Sequence, residues 1–228
     1  MRYWTYAEIK SKVETDLDLQ SETFITPEEM LAYCNEAIDE TEAEIHTLYE
    51  DYFLDSEVVS IVNGTDGYAL PSNIYAHKIR DIIYRNGGNI WPLKRIRDWK
   101  KIRDYSVWKY YGHGQVTEYF IKNSIVGEPQ FILSPPNLET GDFLTVWYLR
   151  NANRMTDENS VCDIPEFVSF VIVFMKYKCM QKEGHPSTPE IIADLEQQRG
   201  QMRAVLSGMV ADNDTEIEAD YSHYREHS

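Results

Sequence analysis

From Val13 to His77 the chain carries sixteen Asp and Glu and not one Lys or Arg. No element built from this stretch can neutralise itself, so every cation that faces it must come from elsewhere in the fold or from another molecule. The next stretch inverts the sign, with nine basic residues from Lys78 to Arg103 against only Asp81 and Asp98. The whole chain has a net charge of -16. Blocks polarised in this way offer complementary surfaces, to the same chain or to neighbouring copies.

A length of 228 residues suffices for one substantial core or for a helical framework carrying a β module, and is read as one compact unit. Apolar residues at 43% and aromatics at 13% exclude a disordered chain. Sixteen tyrosines and five tryptophans favour association, because amphipathic rings suit surfaces that are packed on one side and wet on the other. The three cysteines, Cys34, Cys162 and Cys179, are odd in number and lack metal-ligand spacing, which fits a reducing compartment. Trp4 and an amphipathic helix open the chain, so no signal peptide is expected. The longest apolar run, Phe167 to Met175, is interrupted by Ser169 and stopped by Lys176 and Lys178, short of the roughly 20 residues that span a bilayer. A soluble protein without a membrane partner is expected.

Hydrophobic periodicity divides the chain. Thr5 and Glu8 form a capping box, and Tyr6, Ile9, Val13 and Leu17 follow at helical spacing. Thr26 caps a second helix with Pro27 at its first position and Glu29 completing the box; Met30, Leu31, Cys34, Ala37, Ile38, Thr41, Ile45, Leu48, Tyr49 and Tyr52 fall on one stripe. Its other face carries Glu29, Glu36, Asp39, Glu40, Glu44 and Asp51. Glu36, Glu40 and Glu44 are like charges four apart, and Glu50 and Asp51 oppose the helix dipole, so something outside this helix must offset them. At Val58 the texture becomes that of strands: Val58 to Val62, a turn from Asn63 to Gly67, and Tyr68 to Pro71. Ile79 to Tyr84 and Ile90 to Ile96 flank the hairpin signal Asn86-Gly87-Gly88-Asn89. Arg97 to Tyr105 reads as a helix turn or an exposed loop. Beyond it, Glu118 to Ile125, Pro129 to Leu133 and Phe143 to Leu149 read as three antiparallel strands, with turns at Gly127 and Pro135-Pro136. After Asn151 helices return, one opened by Asp163, Pro165 and Glu166, running through Phe170, Phe174, Tyr177 and Met180, and closed by Gly184. Thr188-Pro189-Glu190 opens the last, through Ile191, Leu195, Met202 and Leu206. The expected class is α+β, with residues 1–57 and 151–210 helical, 58–150 a central antiparallel β-sheet module, and 211–228 an acidic tail.

Catalytic signatures do not emerge. The six histidines are scattered without HExxH, HxH or Cys/His spacing. There is no GxSxG, P-loop or dinucleotide fingerprint, and Gly112-His113-Gly114 lacks the third glycine and reads as a turn. Paired carboxylates carry no information in a chain with 38 acids. Trp108, Tyr110 and Tyr111 lie in one short segment and read as packing. No catalytic residue, metal or cofactor is expected. The basic run Lys94, Arg95, Arg97, Lys100, Lys101 and Arg103, interleaved with Trp91 and Trp99, resembles a nucleic-acid patch. A pI near 4.7 repels a polyanion over most of the surface, so these cations are expected to meet the acidic helix face of the same chain or of the next copy.

Gly67-Tyr68-Ala69-Leu70-Pro71-Ser72-Asn73, then Gly127-Glu128-Pro129-Gln130-Phe131-Ile132-Leu133-Ser134-Pro135-Pro136 leading into Asp142 to Tyr148, then Ile164-Pro165-Glu166 opening paired helices, follow the acidic N-terminal helices in order. This arrangement resembles the head-to-tail adaptor (connector, tail-tubular-A-like) proteins of tailed bacteriophages over about the whole chain. The resemblance implies an α-helical bundle bearing a β-sheet module. It implies assembly as a ring, usually of twelve copies, beneath the portal protein in the virion neck, formed in the host cytoplasm. The ring extends the channel through which double-stranded DNA passes and offers a surface to a tail or nozzle protein. The family supplies no catalytic residues. Its C-terminal segments reach toward the portal, which makes Ile217, Tyr221 and Tyr224 the anchors of a docking arm. Head-to-tail rings join unlike patches, so Glu36, Glu40 and Glu44 of one copy are expected to pair with Lys100, Lys101 and Arg103 of the next. An acidic surplus also suits a conduit for DNA. A tail-completion or baseplate component, or a DNA-binding accessory protein using residues 94–103, are the alternative readings.

Overall fold

The computed structural model describes residues 2–19, 24–62, 64–65, 67–98, 100–101, 116–123, 128–134, 141–186 and 188–213. Trp99, Arg103, the aromatic segment with Gly112-His113-Gly114, the turns at Gly127 and Pro135-Pro136, and the tail anchors Ile217, Tyr221 and Tyr224 lie outside the described residues. The class is α+β. The chain divides into two compact units rather than one, Met1–Tyr52 with Ala152–Ser228, and Phe53–Asn151.

The first unit is helical. Helix α1 spans Tyr6–Asp16 and α2 spans Pro27–Leu48, and both start as their sequences dictate. Thr5 accepts from the Glu8 amide while the Glu8 carboxylate accepts from the Thr5 amide at 3.0 Å. Thr26 and Glu29 repeat the reciprocal pair. The α2 stripe was expected to run to Tyr52, but the helix ends at Leu48 and a 3₁₀ turn covers Glu50–Phe53. Glu50 and Asp51 therefore lie just past the Tyr49 cap rather than inside the last turn of the helix. After the 3₁₀ turn Pro165–Phe167, α3 spans Val168–Glu183, and Gly184 stops it at φ 67°, a left-handed position that favours glycine. Helix α4 spans Thr188–Asn213.

Helix α3 is the axis of this unit. Phe170, Val171, Ile172, Val173, Phe174 and Met175 are all buried, and six consecutive residues cannot share one stripe of a helix, so α3 must be covered on several sides. It packs against α1, α2 and α4. Full burial of each such side chain stabilises by about 1.5–3 kcal/mol. By contrast α4 buries a narrow seam, Leu195, Met202 and Leu206, with Ile192 and Val205 exposed.

The second unit holds two four-stranded sheets. Strands β1 (Leu54–Ser60), β2 (Gly67–Ala69), β3 (Ile74–Asn86), β4 (Asn89–Pro92), β5 (Lys94–Arg95), β6 (Glu118–Lys122), β7 (Gln130–Ser134) and β8 (Phe143–Arg150) are ordered β1-β8-β3-β4 and β2-β7-β6-β5. Three expectations are corrected. Strand β1 begins four residues before Val58, because pairing from Leu54↔Leu149 to Ser60↔Phe143 supplies a ladder that the polar Asp55, Ser56 and Glu57 do not advertise. Strand β8 leaves β6 and β7 for the other sheet, a choice that alternation alone cannot specify, since period 2 fixes the buried face and not the neighbour. The module is also not purely antiparallel, since β5 and β6 run parallel over Lys94↔Glu118 and Arg95↔Tyr119.

Asn86↔Asn89 close the β3–β4 hairpin around Gly87-Gly88, with Gly87 at φ 54°, as a two-residue turn of this hand requires. Ile82, Tyr84, Leu144, Val146 and Tyr148 from the first sheet share one core with Tyr68, Tyr119, Phe131 and Leu133 from the second. Asp142 is buried at the hairpin end of that core, accepting from the Tyr84 hydroxyl at 2.6 Å and the Asn86 amide at 2.9 Å, while Tyr84 stacks on Trp91. Replacing Asp142 by Ala leaves a buried phenol and an amide without that acceptor. The expected loss is about 2 kcal/mol, read as a lower denaturant midpoint followed by tryptophan fluorescence.

Candidate functional site

Helix α2 presents three working faces. Met30, Cys34, Ala37, Ile38, Thr41 and Ile45 make the buried one. A polar face clamps the extended chain after the second unit: Asn35 donates to the Met155 carbonyl at 3.0 Å and accepts from its amide at 2.8 Å, Glu42 accepts from the Ala152 amide, and Asp39 pairs with Arg154 at 2.8 Å. The third face is a ladder of ion pairs. Glu29 meets Lys182 at 2.6 Å, Glu36 meets Lys178 at 2.7 Å, Glu40 meets Arg199 at 2.6 Å, and Glu44 meets Arg203 at 2.6 Å and Arg199 at 3.7 Å. Asp16 of α1 contributes a further pair with Lys176. For Glu29, Glu36, Glu40 and Glu44 the cations that the acid-only stretch lacks therefore come from α3 and α4 of the same unit.

The electrostatics follow the geometry. Hydrogen bonding from Arg203 holds the Glu44 carboxyl below the ordinary glutamate range, Lys182 does the same for Glu29, and Lys12 with Lys176 does so for Asp16. Asp39 goes the other way, raised chiefly by desolvation. Arg199 lies between Glu40, Glu44 and Glu196 with its guanidinium 5.8 Å from the Phe170 ring, a planar fork that serves several acceptors at once. Most of these pairs are half-buried but still open to solvent and worth about 0–1 kcal/mol each, so their weight lies in register rather than in bulk stability. Burial pushes the Cys34 and Cys179 thiols up to about 12 and Cys162 to about 11, which keeps them protonated and unreactive at neutral pH.

In the second unit Lys100 and Lys101 are exposed, and Lys101 approaches Glu118 at 3.9 Å. A separate cationic site joins Arg95 of the basic run to Lys78 and Arg80, which the sequence does not mark. Between Ile74 and Ile79 strand β3 breaks register, and Ala76 and His77 take φ 47° and 55° in succession. Two adjacent left-handed residues that are not glycine cost about 1–3 kcal/mol each unless the surroundings hold them. The bulge opens a cavity of about 380 Å³ lined by His77, Lys78, Arg80, Arg95, Ile121 and Asn123, among others. The signal that marks it in sequence is weak, because a bulge is invisible to periodicity and Arg95 arrives from the other sheet.

The first sheet also leaves apolar side chains exposed. Register puts Leu54, Val58, Trp147, Phe143 and Ile90 on the side opposite the shared core, and all five are exposed, whereas Thr145 and Leu149 on that side are buried. Among the described residues no group of His, Cys, Asp and Glu converges as a metal site. Among the same residues no helix is long and apolar enough to cross a membrane.

Among known families, the model described as SU10 adaptor protein matches residues 4–221. No curated protein matches the chain.

Two outcomes test the ladder. Arg199→Ala removes the cation between two like charges four apart and is expected to cost about 1–2 kcal/mol, with little recovery in Arg199→Lys, by thermal melting followed at the helical circular-dichroism band. The lowered carboxyls give a signed pH dependence. Their stabilisation is fully present above the ordinary values of 4.5 for Glu29 and Glu44 and 3.8 for Asp16. It is lost as pH falls through the depressed folded values, so the melting temperature should drop below about pH 4.5.

Proposed function

The chain belongs to the SU10 adaptor protein family of bacteriophage virion components, and from this premise we propose that it is a head-to-tail adaptor whose copies form a ring of twelve below the portal protein. The ring extends the DNA channel and docks the tail. The observation that carries the reading is the breadth of the match, which runs through both units. The role this assigns is structural rather than catalytic.

Two features of the structure support association. The exposed apolar side chains of the first sheet, Phe143 and Trp147 among them, are of the kind that copies bury against one another. Charge is also unevenly divided: the sequence of the helical unit holds 28 acidic and 10 basic residues, that of the β unit 10 and 12. A heterologous interface that sets one unit against the other in the next copy is electrostatically favourable. Lys100, Lys101 and Arg103 are proposed as its cationic side. Because Glu36, Glu40 and Glu44 already have partners on α3 and α4, pairing with a neighbour would extend that ladder instead of replacing it. Ile217, Tyr221 and Tyr224 are proposed as the contact to the portal.

Imaging the purified chain mixed with its portal is expected to show rings seated on the portal, and a monomer that never joins would overturn the reading. Reversing Lys100, Lys101 and Arg103 together to Glu is expected to lower ring incorporation at least tenfold with an unchanged melting temperature. Unchanged incorporation would remove the charge-pairing part alone.

A further inference from the structure

We propose that the cavity at the β3 bulge is a phosphate subsite that holds the backbone of duplex DNA, an inference that rests on the adaptor reading because it supplies the polyanion. Lys78 and Arg80 from β3 and Arg95 from β5 line one opening together with the Asn123 amide. Three cations and an amide donor arriving from both sheets match a tetrahedral oxyanion, and arginine forks suit phosphate in particular. Ile79 and Ile121 also line the cavity, and their apolar side chains lower the local dielectric and strengthen each charge.

The backbone supports the same assignment independently. Ala76 and His77 hold consecutive positive φ values on the cavity wall. Bulges of this kind re-aim side chains, and here the residue after the bulge is Lys78. Strain maintained at a cation-lined opening is the pattern expected of a site rather than of a loop. A volume of about 380 Å³ lies at the low end of ligand sites, roughly 300–1,000 Å³, and so admits a group of phosphate-and-sugar size rather than a folded partner. A carboxylate from another copy is the weaker fit. The acids of α2 are already matched within their own unit.

With the rest of the chain acidic, binding should be weak, with a dissociation constant on the order of 10⁻⁴ M at physiological salt and tighter below it. Anisotropy of a labelled 20-base-pair duplex titrated with the full chain at several salt concentrations tests this. A single phosphate held by the three cations gives a log–log salt slope of about -0.9, and Arg95→Ala should bring it closer to zero while weakening binding about five- to tenfold. Lys12→Ala, on α1, should change neither. Inorganic phosphate should compete, and a peptide of residues 212–228 should not. A slope unaltered by Arg95→Ala, no binding at low salt, or displacement by the acidic peptide would overturn the proposal, the last by assigning the cavity to carboxylates. Ring formation on the portal by Arg95→Ala is read separately, so loss of the subsite does not count against the adaptor reading.

Discussion

Neutralisation of the acidic face of α2 by cations from α3 and α4 is the constraint on which the helical unit depends. Glu29 pairs with Lys182 and Glu36 with Lys178, so positions rise along α2 as they fall along α3, and the two helices run antiparallel. Glu40 pairs with Arg199 and Glu44 with Arg203, rising together, so α2 and α4 run parallel. The apolar core cannot specify these registers unaided. Helix α3 is apolar on several sides and would bury nearly as much surface if slid by a turn, whereas such a slip would strand four carboxylates beside one another. Hydrophobic burial supplies the stability of the unit, and the ladder selects among packings of similar burial.

The β unit solves a different problem with the same economy. Two sheets must share a core while exchanging the chain between them, and the exchange occurs at Leu93, where the backbone passes from β4 in one sheet to β5 in the other. That crossing carries the basic block with it, so Lys94 and Arg95 stand on the second sheet while Lys78 and Arg80 stand on the first. The bulge at Ala76 and His77 sits on the longest strand, where it breaks the ladder with β8 and bends the chain locally.

Much of this was legible in residues. The two capping boxes, Gly184 as a stop signal, and the Gly87-Gly88 hairpin are local chemistry, decided within four residues, and the structure has each where the sequence puts it. The acidic face of α2 was legible as a demand for cations, but their source was not. Lys178, Lys182, Arg199 and Arg203 are isolated charges in helices read for their apolar content, and only tertiary packing brings them opposite Glu36, Glu29, Glu40 and Glu44. Strand partnership was illegible for a related reason: Phe143 to Arg150 alternates equally well against any neighbour, so its place between β1 and β3 is a global outcome. The cavity at β3 was hidden twice, by a bulge that periodicity does not register and by a contribution from the other sheet.

Once the ladder is formed, the acid excess of the helical unit is reduced but far from abolished, since its sequence carries 28 acids against 10 bases. An excess that internal pairing leaves uncompensated destabilises a lone chain through self-repulsion. It is tolerable where the surplus faces either a complementary neighbour or a passing polyanion that must not adhere. The proposed adaptor ring would meet both conditions at once. Acidic walls would keep phosphates moving, and sparse cationic points on the sheet would give brief, salt-sensitive contacts that orient the duplex without arresting it. The division of charge between the two units is the one that the proposed conduit would need, with repulsion spread broadly and attraction confined to a few arginines and lysines.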